Sequence, residues 1–457
     1  MELGILTLLP MVVLFTLIFT TKRVIMALTA ATLTGAILLG GPAFAGVWLE
    51  TFMETFMEGT LGWLLILLGL FGILIAILDA SGSVTEFAEW LTRYANTRRK
   101  TLLITFILGL IVFIDDYLNN MAISTAMKKV ADSHKIPRVL LGYTVNATAA
   151  TTCILVPIST WAVFYAMLFE EDGVLIDGSG MKAYIAAIPF MFYAWIMLIV
   201  LFLVVIGVIP LIGLVKKHTR IAEETGVVCL TEVNMDGKEI VSAPYAADES
   251  KSPKPWNFLI PILVLVVATL LSEIDIMIGC MAGIGASGIL LLAQRKMTIC
   301  QLFDNAYSGV ANMLMVSVML AVSFLLVGIN TATGLPEFVV EMLAPYLSGP
   351  MFPAIVFGFC AVYSYFGGGF WDMSLVFMPI IVPLSVAVGV DPIMPCAALV
   401  SASVAGSSTC VVGDAVMITS RALDIRPYYQ MLGTLPYAII SYVAAVICHI
   451  IAGFMFI

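Results

Sequence analysis

Apolar stretches of about 18 or more residues recur along the chain, parted by short polar or basic segments. Each is long enough to cross a hydrocarbon core of about 30 Å as a helix. The run at 1–20 lacks a basic leader and a small-residue cleavage site, so it reads as a first span rather than a signal peptide. Basic residues cluster at Lys22-Arg23, Arg98-Arg99-Lys100, Lys128-Lys129 to Arg138, Lys216-Lys217-His218-Thr219-Arg220, Lys251 to Lys254 and Arg295-Lys296. If all face the cytoplasm, a single threading satisfies them.

Spans at 4–20, 24–45 and 60–80 bring the chain to the inner side. Segment 101–130 begins and ends at basic clusters, which predicts a re-entrant hairpin from the cytoplasmic side rather than an ordinary span. Span 139–168 runs out to the acidic, glycine-rich loop Glu170–Gly178, and 182–214 returns. Residues 215–256 read as a solvated cytoplasmic linker between a first repeat, 1–214, and a second, 257–457. The second threads as 257–271, 276–294, 308–330, an external-side hairpin at 351–390, and spans at 393–420 and 431–456. Asp79 is placed to cap an amphipathic helix at 84–95, whereas Glu273 and Asp275 fall in a short outer turn.

An offset of 257 residues carries Phe113, Asp115, Leu118 and Met121 onto Phe370, Asp372, Leu375 and Met378. The same offset carries Thr152-Cys153-Ile154-Leu155 onto Thr409-Cys410-Val411-Val412. Paired elements run in opposite directions in the threading, which makes an inverted repeat. Such repeats hold their site near the bilayer midplane, at interrupted helices.

Composition agrees with the bilayer reading: 61% of residues are hydrophobic and 11% charged, with mean hydropathy +1.08. The fold class is thus an all-α polytopic protein of the cell membrane, with two opposed hairpins and two broken helices. A formal net charge of −9 without a basic stripe argues against nucleic acid. The eight cysteines form no CxxC pair, and His134, His218 and His449 stand isolated. That argues against a disulfide framework, a metal centre or a resident cofactor. No Ser/His pair, HExxH or phosphate loop suggests an enzyme.

The strongest local signal is Phe113-Ile114-Asp115-Asp116-Tyr117-Leu118-Asn119-Asn120. Asp115 lies about 22 Å from Lys100 if the chain between them is helical. A carboxylate at that depth costs about 3 kcal/mol or more and is a functional candidate. Asn119 and Asn120 lie one turn on from Asp115 and Asp116, on matching faces. Two adjacent carboxylates in low dielectric do not both ionise freely, so a proton and a cation would compete there. The alternative is that one Asp only caps the return leg.

Asn146 to Trp161 is rich in small and hydroxyl residues (Thr151, Thr152, Ser159) and is interrupted by Pro157. Proline frees carbonyls that are tolerated around a polar cavity, and these with the hydroxyls make hard oxygen ligands for Na⁺. Close helix packing explains such a run equally well. The second half offers Gly367-Gly368-Gly369-Phe370-Trp371-Asp372-Met373-Ser374, then Ser408-Thr409 with Gly413-Asp414. Arg421, seven residues beyond Asp414, leaves a buried ion pair as an alternative there. Trp161 and Trp371 are candidate aromatic contacts to an organic substrate, or simple packing residues.

At these residues the chain resembles the NhaC-type sodium/proton antiporter family, over roughly 55–450. The Phe-Ile-Asp-Asp-Tyr run, the segment ending Pro157-Ile158-Ser159-Thr160-Trp161, and Gly413-Asp414 carry the likeness. The resemblance implies a scaffold domain beside a mobile transport domain, in an elevator-type homodimer. It implies one half-site at Asp115, Asp116, Asn119, Asn146 and Thr151, and another at Asp372, Ser408, Thr409 and Asp414. Arg421 departs from the family's less basic run after Gly-Asp. The expected activity is Na⁺/H⁺ exchange, with Na⁺ at Asp115, Asn119, Thr151, Asp372 and Thr409. Coupled transport or exchange of a small amine, amino acid or organic acid is the alternative.

Overall fold

The computed structural model describes residues 4–21, 24–57, 60–242, 254–272, 275–335, 338, 341–342, 344–367, 370–411 and 413–456. The basic residues at 22, 23 and 251, Glu273, and the side chains of Trp371, Asp372 and Asp414 lie outside what is described.

The fold is all-α and polytopic. After a 3₁₀ turn at Gly4–Leu8 come α1 (Leu9–Thr21), α2 (Val24–Gly40), α3 (Phe44–Met57), α4 (Thr60–Ala80) and α5 (Ser83–Thr92). Next are α6 (Arg98–Ile111), α7 (Asp116–Ser133), α8 (Arg138–Leu155), α9 (Thr160–Glu171), α10 (Gly180–Ala187) and α11 (Phe192–Val205). A connecting segment carries α12 (Gly213–Thr225) and two short strands, β1 (Val227–Cys229) and β2 (Ile240–Val241). The second half holds α13 (Trp256–Leu271), α14 (Ile276–Ala293), α15 (Ile299–Thr333), α16 (Phe352–Gly367) and α17 (Phe370–Ala387). It ends with α18 (Ile393–Thr409), α19 (Asp414–Ala422) and α20 (Pro427–Phe456).

Two bundles result. In the first, α1–α4 pack with α13–α15. One close crossing brings Gly72 of α4 against Gly309 of α15, where a Cβ on either would strike the other's backbone. Close backbone approach at small residues is how helices associate where water supplies no driving force. In the second, α6–α11 pack with α16–α20. Helix α5 bridges them: Phe87 stacks on Phe258 of α13 at 5.1 Å, and Asn257 Nδ2 donates to Glu86 Oε2 at 3.2 Å.

Several expectations need correction. The span expected at 24–45 stops at Gly40, and α3 folds back on α2, since Trp48 Nε1 donates to Thr32 Oγ1 at 3.0 Å. A continuous helix would hold those residues about 24 Å apart. The span expected at 182–214 bends by 49° between Phe190 and Phe192 and ends at Val205; Pro189 lies in the 3₁₀ turn there. The span expected at 308–330 is part of the 35-residue α15. Asp79 does not cap α5: its side chain is exposed, and only its backbone carbonyl takes part in the turn, accepting from Gly82.

The segment 215–256 is not simply solvated, although 243–253 lie outside the described residues. Helix α12 buries Val215, His218 and Ala222. Its Glu223 pairs with Arg98 at the start of α6, and Thr219 accepts from the same guanidinium at 3.2 Å. The turn after α19 is also held, Arg426 N donating to Val233 O at 2.8 Å and Met235 N to Asp424 O at 3.2 Å. Burial, with Lys217 beside it, holds the His218 imidazole below its ordinary value, against a smaller opposing effect of Glu232. A neutral buried histidine favours the docked helix above the unfolded value of about 6.5 and loses that contribution as pH falls further. Hydrogen exchange across 213–225 should therefore accelerate on acidification below about pH 6.5, and His218→Gln should flatten the response.

Candidate functional site

Helices α6 and α7 form a hairpin whose two ends meet: His134 and the Ala95 carbonyl lie 2.7 Å apart. Asn119 of α7 reaches back to donate to Gly109 O at 2.9 Å and Val112 O at 2.7 Å, tying down the carbonyls freed where α6 ends. Gly109 is required there, because a Cβ would collide with Thr148 of α8.

The tip of this hairpin meets the break between α8 and α9, which are bent by 42°. Thr160 N donates to Ile114 O at 2.9 Å, and Cys153 Sγ donates to Phe113 O at 3.1 Å. Asp115, 5% exposed, is the N-cap of α7; its Oδ1 accepts from Tyr117 N and Leu118 N, both at 3.0 Å. Its Oδ2 accepts from Thr160 Oγ1 at 3.2 Å. Asp116, 1% exposed, is the first residue of α7, and its Oδ1 accepts from Trp161 Nε1 at 2.8 Å. Both carboxylates thus sit at a helix N-terminus, where the aligned peptide dipoles favour negative charge. Among the described residues, no Lys or Arg forms an ion pair with Asp115.

Trp161 is therefore a polar partner as well as a packed ring. Trp161→Phe should lower stability by about 1.5–3 kcal/mol, the worth of a hydrogen bond to a charged group. Thermal unfolding in detergent measures that loss.

The break at Pro157 is satisfied from within. Ser159 N-caps α9 by accepting from Ala162 N at 3.0 Å, and it donates to Cys153 O at 2.6 Å. Tyr184 OH donates to Ile154 O at 2.6 Å. The carbonyls of 153 and 154, just before the break, are thus occupied by hydroxyls. Thr151 likewise spends its hydroxyl on the Ala147 and Thr148 carbonyls of its own helix. Unbonded buried oxygens do remain among the described residues, at Asn119 Oδ1, Asn146 Oδ1 and Thr152 Oγ1.

The two halves interlock across these breaks. Asn146 Nδ2 donates to Ser408 O at the end of α18, at 2.8 Å. Ser403, the counterpart of Asn146 at the 257-residue offset, accepts from Tyr165 OH of α9 at 2.6 Å. Tyr165 OH also lies 2.8 Å from Ser374 Oγ of α17. These contacts set the α8–α9 pair antiparallel to α18. Asn120 Oδ1 accepts from Thr419 Oγ1 of α19 at 2.8 Å. Thr409 bonds Ala405 O at 2.6 Å and Tyr442 OH at 3.2 Å, while Ser408 Oγ meets Tyr193 OH at 3.2 Å.

On the second side, Asp372 is the third residue of α17 and Asp414 the first of α19. With Trp371, their side chains lie outside the described residues. Arg421, in the last turn of α19, is exposed. Hairpin α16–α17 folds back on itself, Phe377 lying edge-on to Phe359 at 5.2 Å and to Tyr363 at 5.3 Å. Sequence reasoning missed Tyr165, Tyr184, Tyr193 and Tyr442. They come from separate helices and leave no local spacing to find. It also missed the network at the hairpin base: Arg138 grips Asp132 through Nε and Nη2, at 3.2 and 2.8 Å. The same guanidinium donates through Nη1 to Asp424 Oδ2 and Leu423 O, both at 2.9 Å.

Two helical hairpins set against two broken helices make an all-α polytopic architecture. The crystal structure of the Alcanivorax borkumensis YdaH transporter, described as revealing an unusual topology, is similar with a TM-score of 0.65 at 13% identity, over 99% of each chain. The structure of Neisseria gonorrhoeae MtrF, described as illuminating a class of antimetabolite efflux pumps, is similar with a TM-score of 0.59 at 13% identity, over 91% of this chain and 85% of that one. A Haemophilus influenzae protein described as uncharacterized is 23% identical over 490 residues, spanning 98% of this chain and 90% of its own length. No family model matches; the NhaC resemblance rests on its motifs alone.

Proposed function

We propose that this chain is a secondary active transporter in which a cation and a proton compete for carboxylates at the α6–α7 tip. Na⁺ is the cation favoured. The observation that carries the reading is Asp115 and Asp116 buried side by side where the hairpin tip meets the α8–α9 break. Burying charge in low dielectric is costly unless a positive visitor offsets it. Asn119 Oδ1 and Thr152 Oγ1 add unbonded oxygens on the helices that flank the tip. Asp115 then positions α7 and shapes the field, while Asp116 meets the ion. Asp372 and Asp414 supply the opposing half-site in this reading.

The bundle of α1–α4 and α13–α15 serves as scaffold, and the second bundle moves against it in an elevator-type homodimer of the cell membrane. The fold shared with two transporters supports transport itself. A second reading, coupled movement of a small amine, amino acid or organic acid, draws on Tyr193 and Tyr442 around Ser408 and Thr409, and on the unbonded Asn146 Oδ1 and Ser407 Oγ.

Purified protein in proteoliposomes decides between them. Na⁺ alone should dissipate an imposed ΔpH under the first reading. No response to Na⁺, together with uptake of a labelled organic solute, would overturn it in favour of the second.

A further inference from the structure

Helix α7 carries Asp116, Asn120, Ser124, Lys128 and Asp132 at intervals of four residues, so each shares a face with the next while the row as a whole winds part of the way round the helix. The stripe runs about 24 Å along the helix axis, from the hairpin tip to its base. Its partner is α19, which lies alongside in the same direction. Asn120 accepts from Thr419 at 2.8 Å. Eight residues on, Lys128 Nζ donates to Ala422 O at 3.0 Å and to Asp424 Oδ2 at 2.9 Å. Asp132 closes the stripe through Arg138, which also holds Asp424.

Between Asp116 and Lys128 the stripe is fully buried yet incompletely bonded. Asn120 Nδ2 and Ser124 Oγ have no partner among the described residues, and neither has Ser420 Oγ, next to Thr419 on α19. Buried polar groups of this kind are normally satisfied by ordered water, which bridges two to four of them. One such group is an isolated defect; two at one-turn spacing on one face, facing a polar helix, make a line of water positions.

We propose that the α7–α19 seam is a water-lined proton path joining the hairpin-base ion network to Asp116. This rests on the cation/proton reading of the tip and names the route by which its proton arrives. A proton entering from bulk water at the Lys128–Asp424–Asp132 mouth passes along waters held by Ser124 and Asn120 and ends on an Asp116 carboxylate oxygen. Release reverses the order. The traveller is a proton rather than a metal ion, because from Asn120 to Lys128 the stripe offers one amide, one hydroxyl and an ammonium, too few oxygens to replace an ion's hydration shell. A proton needs only a continuous hydrogen-bonded line.

The test uses the full chain in proteoliposomes, with Ser124→Val and the isosteric Ser124→Thr. Ser124→Val should cut proton flux at least tenfold while thermal stabilisation by NaCl stays within twofold in midpoint concentration. Ser124→Thr, which keeps the hydroxyl, should retain flux within about twofold. Equal losses in both variants, or none in Ser124→Val, would overturn the path. Independently of transport, hydroxyl-radical labelling of the wild type should oxidise Met127, buried one turn from Ser124, faster than the equally buried Met197. Equal protection of the two would also overturn it. If NaCl neither stabilises the wild type nor drives flux, the cation reading fails, and the labelling still decides whether the seam holds water.

Discussion

Asp116→Asn is expected to abolish ion-coupled turnover while leaving insertion and thermal stability near wild type. The amide keeps the shape of the side chain and can still accept from Trp161 Nε1. What it loses is charge. A carboxylate about 4 Å from a monovalent ion, at an effective dielectric near 20, contributes about 4 kcal/mol, roughly a thousandfold in affinity. Its neighbour should behave differently on the stability axis. Asp115 caps α7 through two backbone N–H groups, and asparagine caps about as well as aspartate. Asp115→Asn should therefore fold normally, whereas Asp115→Ala should cost about 1–2 kcal/mol. Flux in proteoliposomes and unfolding in detergent separate the two roles. Turnover within a few-fold of wild type in Asp116→Asn would remove the tip from the mechanism.

Arg138→Ala should produce the largest loss of stability in the chain, about 3–5 kcal/mol, because it leaves a buried carboxylate unpaired. Asp132 is 9% exposed and takes both of its guanidinium bonds from Arg138. The substitution also frees Asp424 and the Leu423 carbonyl, and so loosens the base of the hairpin. Replacing Arg138 and Asp132 together by leucine should recover part of the loss, since removing both charges avoids the desolvation cost. Denaturant titration of the wild type and both variants in detergent gives the comparison. A single Arg138→Ala within 1 kcal/mol of wild type would show that Asp132 finds another partner or water.

Much of the architecture was legible because the bilayer restricts the choices. Long apolar runs must be helices. Pro157, and the glycines around 367–369 and 413, mark where helices stop or bend. The Asp-Asp pair declared itself by depth. Its bonding did not: whether Asp115 caps a helix or meets an ion depends on where Thr160 and the α7 backbone come to lie. The α3 fold-back was hidden because a glycine-proline turn at 41–43 lies inside one apolar stretch. Helix α12 was read as solvent-facing because its polar residues dominate the composition, although Val215, His218 and Ala222 lie on one buried side. The tyrosines that plug the breaks were out of reach, since each acts on a partner 30 to 238 residues away.

Those distances govern how the protein is made. Asn146 waits for a carbonyl 262 residues further on, and Arg138 for a carboxylate 286 residues further on. At about 5–20 residues per second of synthesis, the N-terminal helices spend roughly 15–60 s in the bilayer before their bonding partners emerge. During that interval Asp132 and Arg138 have each other, six residues apart, and so the nascent half carries its own provisional counter-ion until the last third of the chain arrives to lock it.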